Sequence, residues 1–136
     1  MALEGLLFFL CSWCSYTDLK ERRISNVCTY AALLILCVIR LFDPVFYLGL
    51  VPAILLFLAW LFKPDAIGEG DIKLFAVIGL AIGFNYTIMV LFWTCLGALI
   101  FMTLYRVVKS RKLASIPLAP FILIGLFIAI ILKYSI

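Results

Sequence analysis

Long apolar runs separated by short clusters of charge dominate this 136-residue chain. Six such runs can be marked off: Ala2 to Tyr16, Asn26 to Phe42, Val45 to Phe62, Ile72 to Phe84, Tyr86 to Tyr105 and Ile116 to Leu132. In lipid, a spanning segment must satisfy its backbone polar groups internally, so these runs predict helices. The stretch from Leu74 to Tyr105 carries no charge and is too long for one crossing of about 20 residues. A break is expected at Gly83-Phe84-Asn85-Tyr86, a turn-forming cluster. The expected architecture is therefore all-α, with residues 1–136 forming one membrane-embedded domain of about six transmembrane helices.

Composition sharpens that expectation. The chain is 68% hydrophobic and 13% charged, against about 45–50% and about 25% for soluble domains. A water-soluble core of this length would leave much of that apolar surface exposed. The first run does not resemble a cleaved leader, because Glu4 stands where a basic region belongs and no small-residue cleavage site precedes the charged stretch from Asp18 to Arg23. It is expected to stay in the mature protein. All five cysteines (Cys11, Cys14, Cys28, Cys37 and Cys95) fall in apolar runs, where a thiol acts as a small hydrophobe, so buried packing is expected for them. Cys11-Ser-Trp-Cys14 has the spacing of a metal or redox pair, but it lacks a second pair and the chain has no histidine, so neither metal nor cofactor is expected.

The basic residues suggest an orientation. If the loops Asp18 to Ser25, Lys63 to Asp71 and Arg106 to Ser115 face the cytoplasm, that side collects Lys20, Arg22, Arg23, Lys63, Lys73, Arg106, Lys109, Arg111 and Lys112, leaving Arg40 and Lys133 opposite. Nine against two is a strong positive-inside bias and places both termini outside the cytoplasm. The net charge of +4 is then a matter of topology and lipid contact and calls for no nucleic acid. The fourth run is short: its thirteen residues cover about 20 Å, against a hydrocarbon core of about 30 Å. Its start should therefore lie at the membrane boundary, at a depth similar to the end of the first run.

Two acids mark those positions. Asp18 ends the first run and leads into Leu19-Lys20-Glu21-Arg22-Arg23-Ile24-Ser25-Asn26; Asp71 follows Gly68-Glu69-Gly70 and precedes Ile72-Lys73. The plain alternatives are that Asp18 pairs with Lys20 or Arg22 at the headgroups, with Ser25 or Asn26 capping the next helix, and that Asp71 caps its own helix. A cap does not need two glycines ahead of it, however. Glycines permit positive φ and close approach of another backbone, such as an extended substrate. Two carboxylates in a poorly hydrated site share one proton, so one can activate water while the other donates to a carbonyl oxygen. Glu4 and Asp43 belong to the opposite side, and Asp65 and Glu69 have no helix end to fix them. Without histidine, no serine, threonine or cysteine has the usual base.

These residues resemble a known family. Asp18-Leu19-Lys20 with Ile24 and Asn26, followed by Gly68-Glu69-Gly70-Asp71-Ile72-Lys73, is similar to the two aspartate motifs of type IV prepilin peptidases, within the GxGD membrane aspartic proteases. Ile116-Pro117-Leu118-Ala119-Pro120-Phe121 resembles that family's proline-bearing approach to its last helix. The resemblance spans essentially the whole chain. It implies an inner-membrane enzyme, facing the cytoplasm, that removes the basic leader of membrane-anchored prepilins or pseudopilins. Asp18 and Asp71 would be catalytic, with Lys20, Asn26, Gly68, Gly70, Lys73, Pro117 and Pro120 in support. Ser25 stands where the family commonly has proline, and the methyltransferase region of longer members is absent, so cleavage without methylation is expected, as in short members associated with Flp-type pili. Cleavage inside transmembrane helices, as by presenilin and signal peptide peptidase relatives, fits less well with so short a chain. The alternative from another class is a non-catalytic transporter or assembly subunit that uses the same acids to bind ions or pair with basic residues.

Overall fold

A computed structural model describes residues 2–21, 26–64, 67–109 and 118–135. Each of the six apolar runs is helical over most of its described residues, and no strand occurs among the described residues. Helix α1 is Ala2–Glu21 and α2 is Asn26–Ile39. The third run is composite: α3 (Pro44–Tyr47), a 3-10 turn (Leu48–Leu50) and α4 (Val51–Phe62), with prolines in the first turns of α3 and α4 where a missing N–H costs little. Next come α5 (Glu69–Ile82), α6 (Phe84–Lys109) and α7 (Ala119–Ser135). Pro44–Phe62 and Phe84–Lys109 are each long and apolar enough to cross a membrane, while α2 and α7 are shorter apolar helices.

Helix α5 is the centre of the assembly and packs against α1, α2, α3, α4 and α6. It buries Ile72, Leu74, Phe75, Val77, Ile78, Gly79, Leu80, Ala81 and Ile82, a set that covers its whole circumference. The expected break after α5 falls on Gly83, which takes φ 86. Glycine alone adopts that conformation without a steric penalty. One residue is enough to turn the chain, and α6 begins at Phe84.

Where apolar surface is in contact on every side, tight helix packing depends on small residues more than on hydrophobic burial. A Cβ built on Gly49 would lie 2.0 Å from the carbonyl oxygen of Gly79, and a Cβ on Gly79 would lie 2.0 Å from that of Gly49. The 3-10 turn and α5 therefore cross backbone against backbone. A similar contact joins α6 and α7, where a Cβ on Gly125 would lie 2.8 Å from the Val90 carbonyl oxygen. The far ends of the helices are tied by charge: Lys133 of α7 pairs with Glu4 of α1, and Arg40 bonds Asp43 at 3.3 Å and the Ala81 carbonyl at 3.4 Å. Arg40 thus places a cation at the C-terminus of α5, where the helix dipole favours it.

Three expectations are corrected by these positions. Asp18, expected to head the loop from Asp18 to Ser25, lies instead within α1, described as far as Glu21. Glu69 is the first residue of α5 and so is fixed by a helix after all. The cysteines differ in burial: Cys11 and Cys14 are buried, Cys28 and Cys37 half-buried, and Cys95 is exposed on α6, whose outward face is apolar like its inward one. Arg22, Arg23, Ser25, Asp65, Arg111, Lys112 and Pro117 lie outside the described residues.

Gly79→Ala is expected to destabilise the folded protein by about 3 kcal/mol or more, since neither backbone can yield. Gly5→Ala, in open space on α1, should leave stability unchanged or raise it by up to about 1 kcal/mol. Thermal unfolding of the two variants beside the wild type checks both.

Candidate active site

Asp18 and Asp71 reach the same end of the helix assembly, one from the last turn of α1 and the other from the first turn of α5. Asp71 is the third residue of its helix, and Gly68 occupies the N-cap with extended backbone, φ −72 and ψ 137. The amides of Asp71 and Ile72 donate to the Gly68 carbonyl at 3.1 and 3.4 Å. The alternative in which Asp71 is itself the cap therefore does not hold.

Neither motif glycine uses positive φ; among the described residues only Gly83 does. Gly70 lies in the first helical turn. What Gly68 provides is room: a Cβ on it would stand 3.0 Å from Oδ2 of Asp71. The carboxylate folds back over the start of its own helix and fills the space a side chain at position 68 would take. The close approach expected of a neighbouring backbone is made here by the acid itself.

Burial pushes the Asp71 carboxyl up to about 7, and the nearby charge of Asp18 adds to the effect. The group sits ahead of the apolar stretch that begins at Ile72, at the open end of the helices. The Asp18 carboxylate faces a different environment. Its Oδ2 accepts the backbone N–H of Ala119, at the start of α7, at 3.3 Å. Among the described residues Asp18 makes no ion pair with Lys20, which is exposed at the end of α1; its other expected partner, Arg22, lies outside them.

The two aspartate motifs are joined by a third contact. Lys73 Nζ donates to Asn26 Oδ1 at 3.0 Å, lies 4.8 Å from the centre of the Tyr30 ring and is 3.9 Å from Glu69. Lys73 thereby ties the start of α2 to the first turns of α5. Beside it, Tyr30, Phe57, Trp60 and Ile72, with Glu69 and Lys73, line a groove of about 320 Å³. Pro120 lies in the first turn of α7, adjacent to the amide that meets Asp18. Two parts of this arrangement have no counterpart in a motif-by-motif reading of the sequence: the Ala119 amide, whose partner is about a hundred residues away, and the aromatic wall from α4.

The model of the type IV leader peptidase family matches residues 5–103, which covers α1 through most of α6 and includes both Asp18 and Asp71. The chain belongs to that family. No curated protein and no solved structure matches it.

A raised carboxyl pKa has a consequence for stability. The folded protein holds the Asp71 proton up to about 7, whereas an unfolded chain releases it near about 3.9. The contribution is thus fully present below the unfolded value and is lost as pH rises through the folded one. Asp71→Asn, which cannot ionise, should unfold at a higher temperature than wild type at pH 8 and at the same temperature at pH 4. The gain has a ceiling of about 4 kcal/mol, and paired melting curves at the two pH values measure it.

Proposed function

We propose that this member of the type IV leader peptidase family is a membrane aspartic endopeptidase that removes the leader of type IV prepilins or pseudopilins, of the Flp type, at the cytoplasmic boundary of the inner membrane. The observation that carries the reading is the meeting of Asp18 and Asp71 at one end of the helices, with Asp71 buried enough to keep a proton near neutral pH and sensitive to the charge of Asp18.

A membrane location is supported by the outer surface. Phe42, Phe62 and Val107 are 89%, 90% and 81% exposed, and large aliphatic and aromatic side chains stand exposed on every helix except the enclosed α5. Water does not tolerate contiguous apolar surface on that scale, and lipid does. In this reading the helices form one multi-pass domain with both termini on the non-cytoplasmic side, following the distribution of basic residues. The Glu4–Lys133 and Arg40–Asp43 pairs then lie at the outer boundary, and Asp18 and Asp71 at the inner one.

The chemistry proposed for the pair is acid–base hydrolysis. The ionised aspartate takes a proton from water as the water oxygen bonds to the scissile carbonyl carbon, and the protonated aspartate gives its proton to the carbonyl oxygen. When the tetrahedral intermediate collapses, the C–N bond breaks and the nitrogen leaves with a proton returned from the pair. The groove beside Lys73, whose lining does not include Asp18 or Asp71, suits a hydrophobic substrate segment against Tyr30, Phe57 and Trp60, with the exposed Glu69 facing a basic leader. Lys73, held by Asn26, fixes the helix start on which Asp71 sits.

The test is co-expression with prepilins of the same host, following the new N-terminus by gel shift and mass spectrometry. Wild type should cut just before the hydrophobic segment, and Asp18→Asn and Asp71→Asn should each leave the substrate full-length at unchanged membrane levels. Gly68→Ala should lower cleavage about 10- to 100-fold by displacing the Asp71 carboxylate, an effect of about 1.4–2.7 kcal/mol on the barrier. Uncut substrate with wild type, or cleavage indifferent to the aspartates, would favour an ion-binding or assembly role for the same acids.

A further inference from the structure

The contact between Asp18 and α7 joins the active-site end of α1 to a helix that the family match does not reach. Around the start of α7, Phe121 and Ile122 donate their amides to the Leu118 carbonyl at 3.0 Å each, and Pro120 has no N–H to give. The N–H of Ala119 remains. Ala119 is 0% exposed, so water is no substitute partner, and a buried amide left unpaired is costly. Asp18 Oδ2 supplies the acceptor. A helix N-terminus carries partial positive charge and prefers a negatively charged neighbour, so this bond strengthens when Asp18 is ionised.

We infer that the Ala119 backbone amide is a positioning group of the active site: it fixes the Asp18 carboxylate and holds it as the charged, proton-accepting member of the pair, leaving Asp71 as the proton donor. The inference rests on the peptidase reading and assigns the two roles which that reading leaves open. From α5 Asp18 faces Asp71, with Glu69 and Lys73 within the same two turns; its own helix carries Cys14, Lys20 and Glu21; and the residues Leu118–Ile122 of α7 bring no titratable side chain, so the assignment rests on the amide. Burial works against ionisation of Asp71, so the two carboxyls are driven apart in role by different surroundings.

Ala119→Pro removes this N–H at the first helical position, where proline is well accepted, and the preceding Leu118 already lies outside the helix. Lactic acid in place of Ala119 replaces the N–H by an ester oxygen without altering the side chain, and decides the matter if the proline variant does not fold. Ala119→Gly keeps the amide. With a host prepilin as substrate, the proline and ester variants should lose about 10- to 100-fold in kcat, with KM changed less than about threefold. Losing the donor disfavours the charged carboxylate, so the acid limb of the pH–rate profile should move up by about one unit. The glycine variant should keep the acid limb where wild type has it, whatever it loses in kcat to the vacated side-chain space.

An unmoved acid limb and kcat in the proline or ester variant, with cleavage still dependent on Asp18 and Asp71, would overturn the amide's role while leaving the peptidase reading intact. A glycine variant whose acid limb moves as far as that of the proline variant would also overturn it, since glycine keeps the amide. If wild type cuts no prepilin, or Asp18→Asn still cuts, the peptidase reading itself fails and this inference with it.

Discussion

In the proposed reading, two carboxylates held near each other at a half-buried site do not readily both release their protons, and the other features of the molecule follow from this constraint. It requires that each acid be carried on a rigid element, that both reach one boundary, and that their surroundings differ. Helices α1 and α5 supply the rigid elements, with Asp18 in a last turn and Asp71 in a first turn. The start of α7 and the burial around Asp71 supply the difference. A loop-borne acid would meet none of these conditions so well, because loops place side chains less accurately than helices do.

The enclosure of α5 follows from the same need. A short helix surrounded by its neighbours half-buries its first turn, and this partial burial is what disfavours the charged form of Asp71. That enclosure depends on close approach, and the Gly49–Gly79 crossing provides it at one point along α5. Nearby, at the C-terminus of the helix, Arg40 meets the Ala81 carbonyl and the ring of Phe46. Charge and glycine packing thus both act on the C-terminal part of α5, away from the turn that carries Asp71.

Much of this was legible from the residues alone, for physical reasons. The six helices follow from apolar length, and the boundary near Gly83 from turn chemistry, because both are local properties. The resemblance to prepilin peptidases rests on Asp18, Asp71 and the residues around them, and the family match over residues 5–103 agrees with it. What could not be read was how distant parts meet. Gly68 reads as a residue for backbone freedom, yet its backbone is ordinary and its missing side chain is what matters. Ala119 shows nothing as a sequence letter, because its contribution is a backbone amide whose partner is set by the docking of α7 on α1. Cys95 lies in an apolar run and is nevertheless exposed, since hydropathy cannot tell an inward face from an outward one when both are apolar.

The central claim is that Asp71 holds a proton at neutral pH in part because Asp18 carries charge beside it. Infrared difference spectroscopy on protein labelled with ¹³C-aspartate follows the protonated carboxyl stretch directly, with Asp71→Asn identifying the band. The account predicts a band that titrates near about 7 in wild type and at lower pH in Asp18→Asn. A band that titrates near the ordinary carboxylate value of about 4, unmoved by Asp18→Asn, would contradict it.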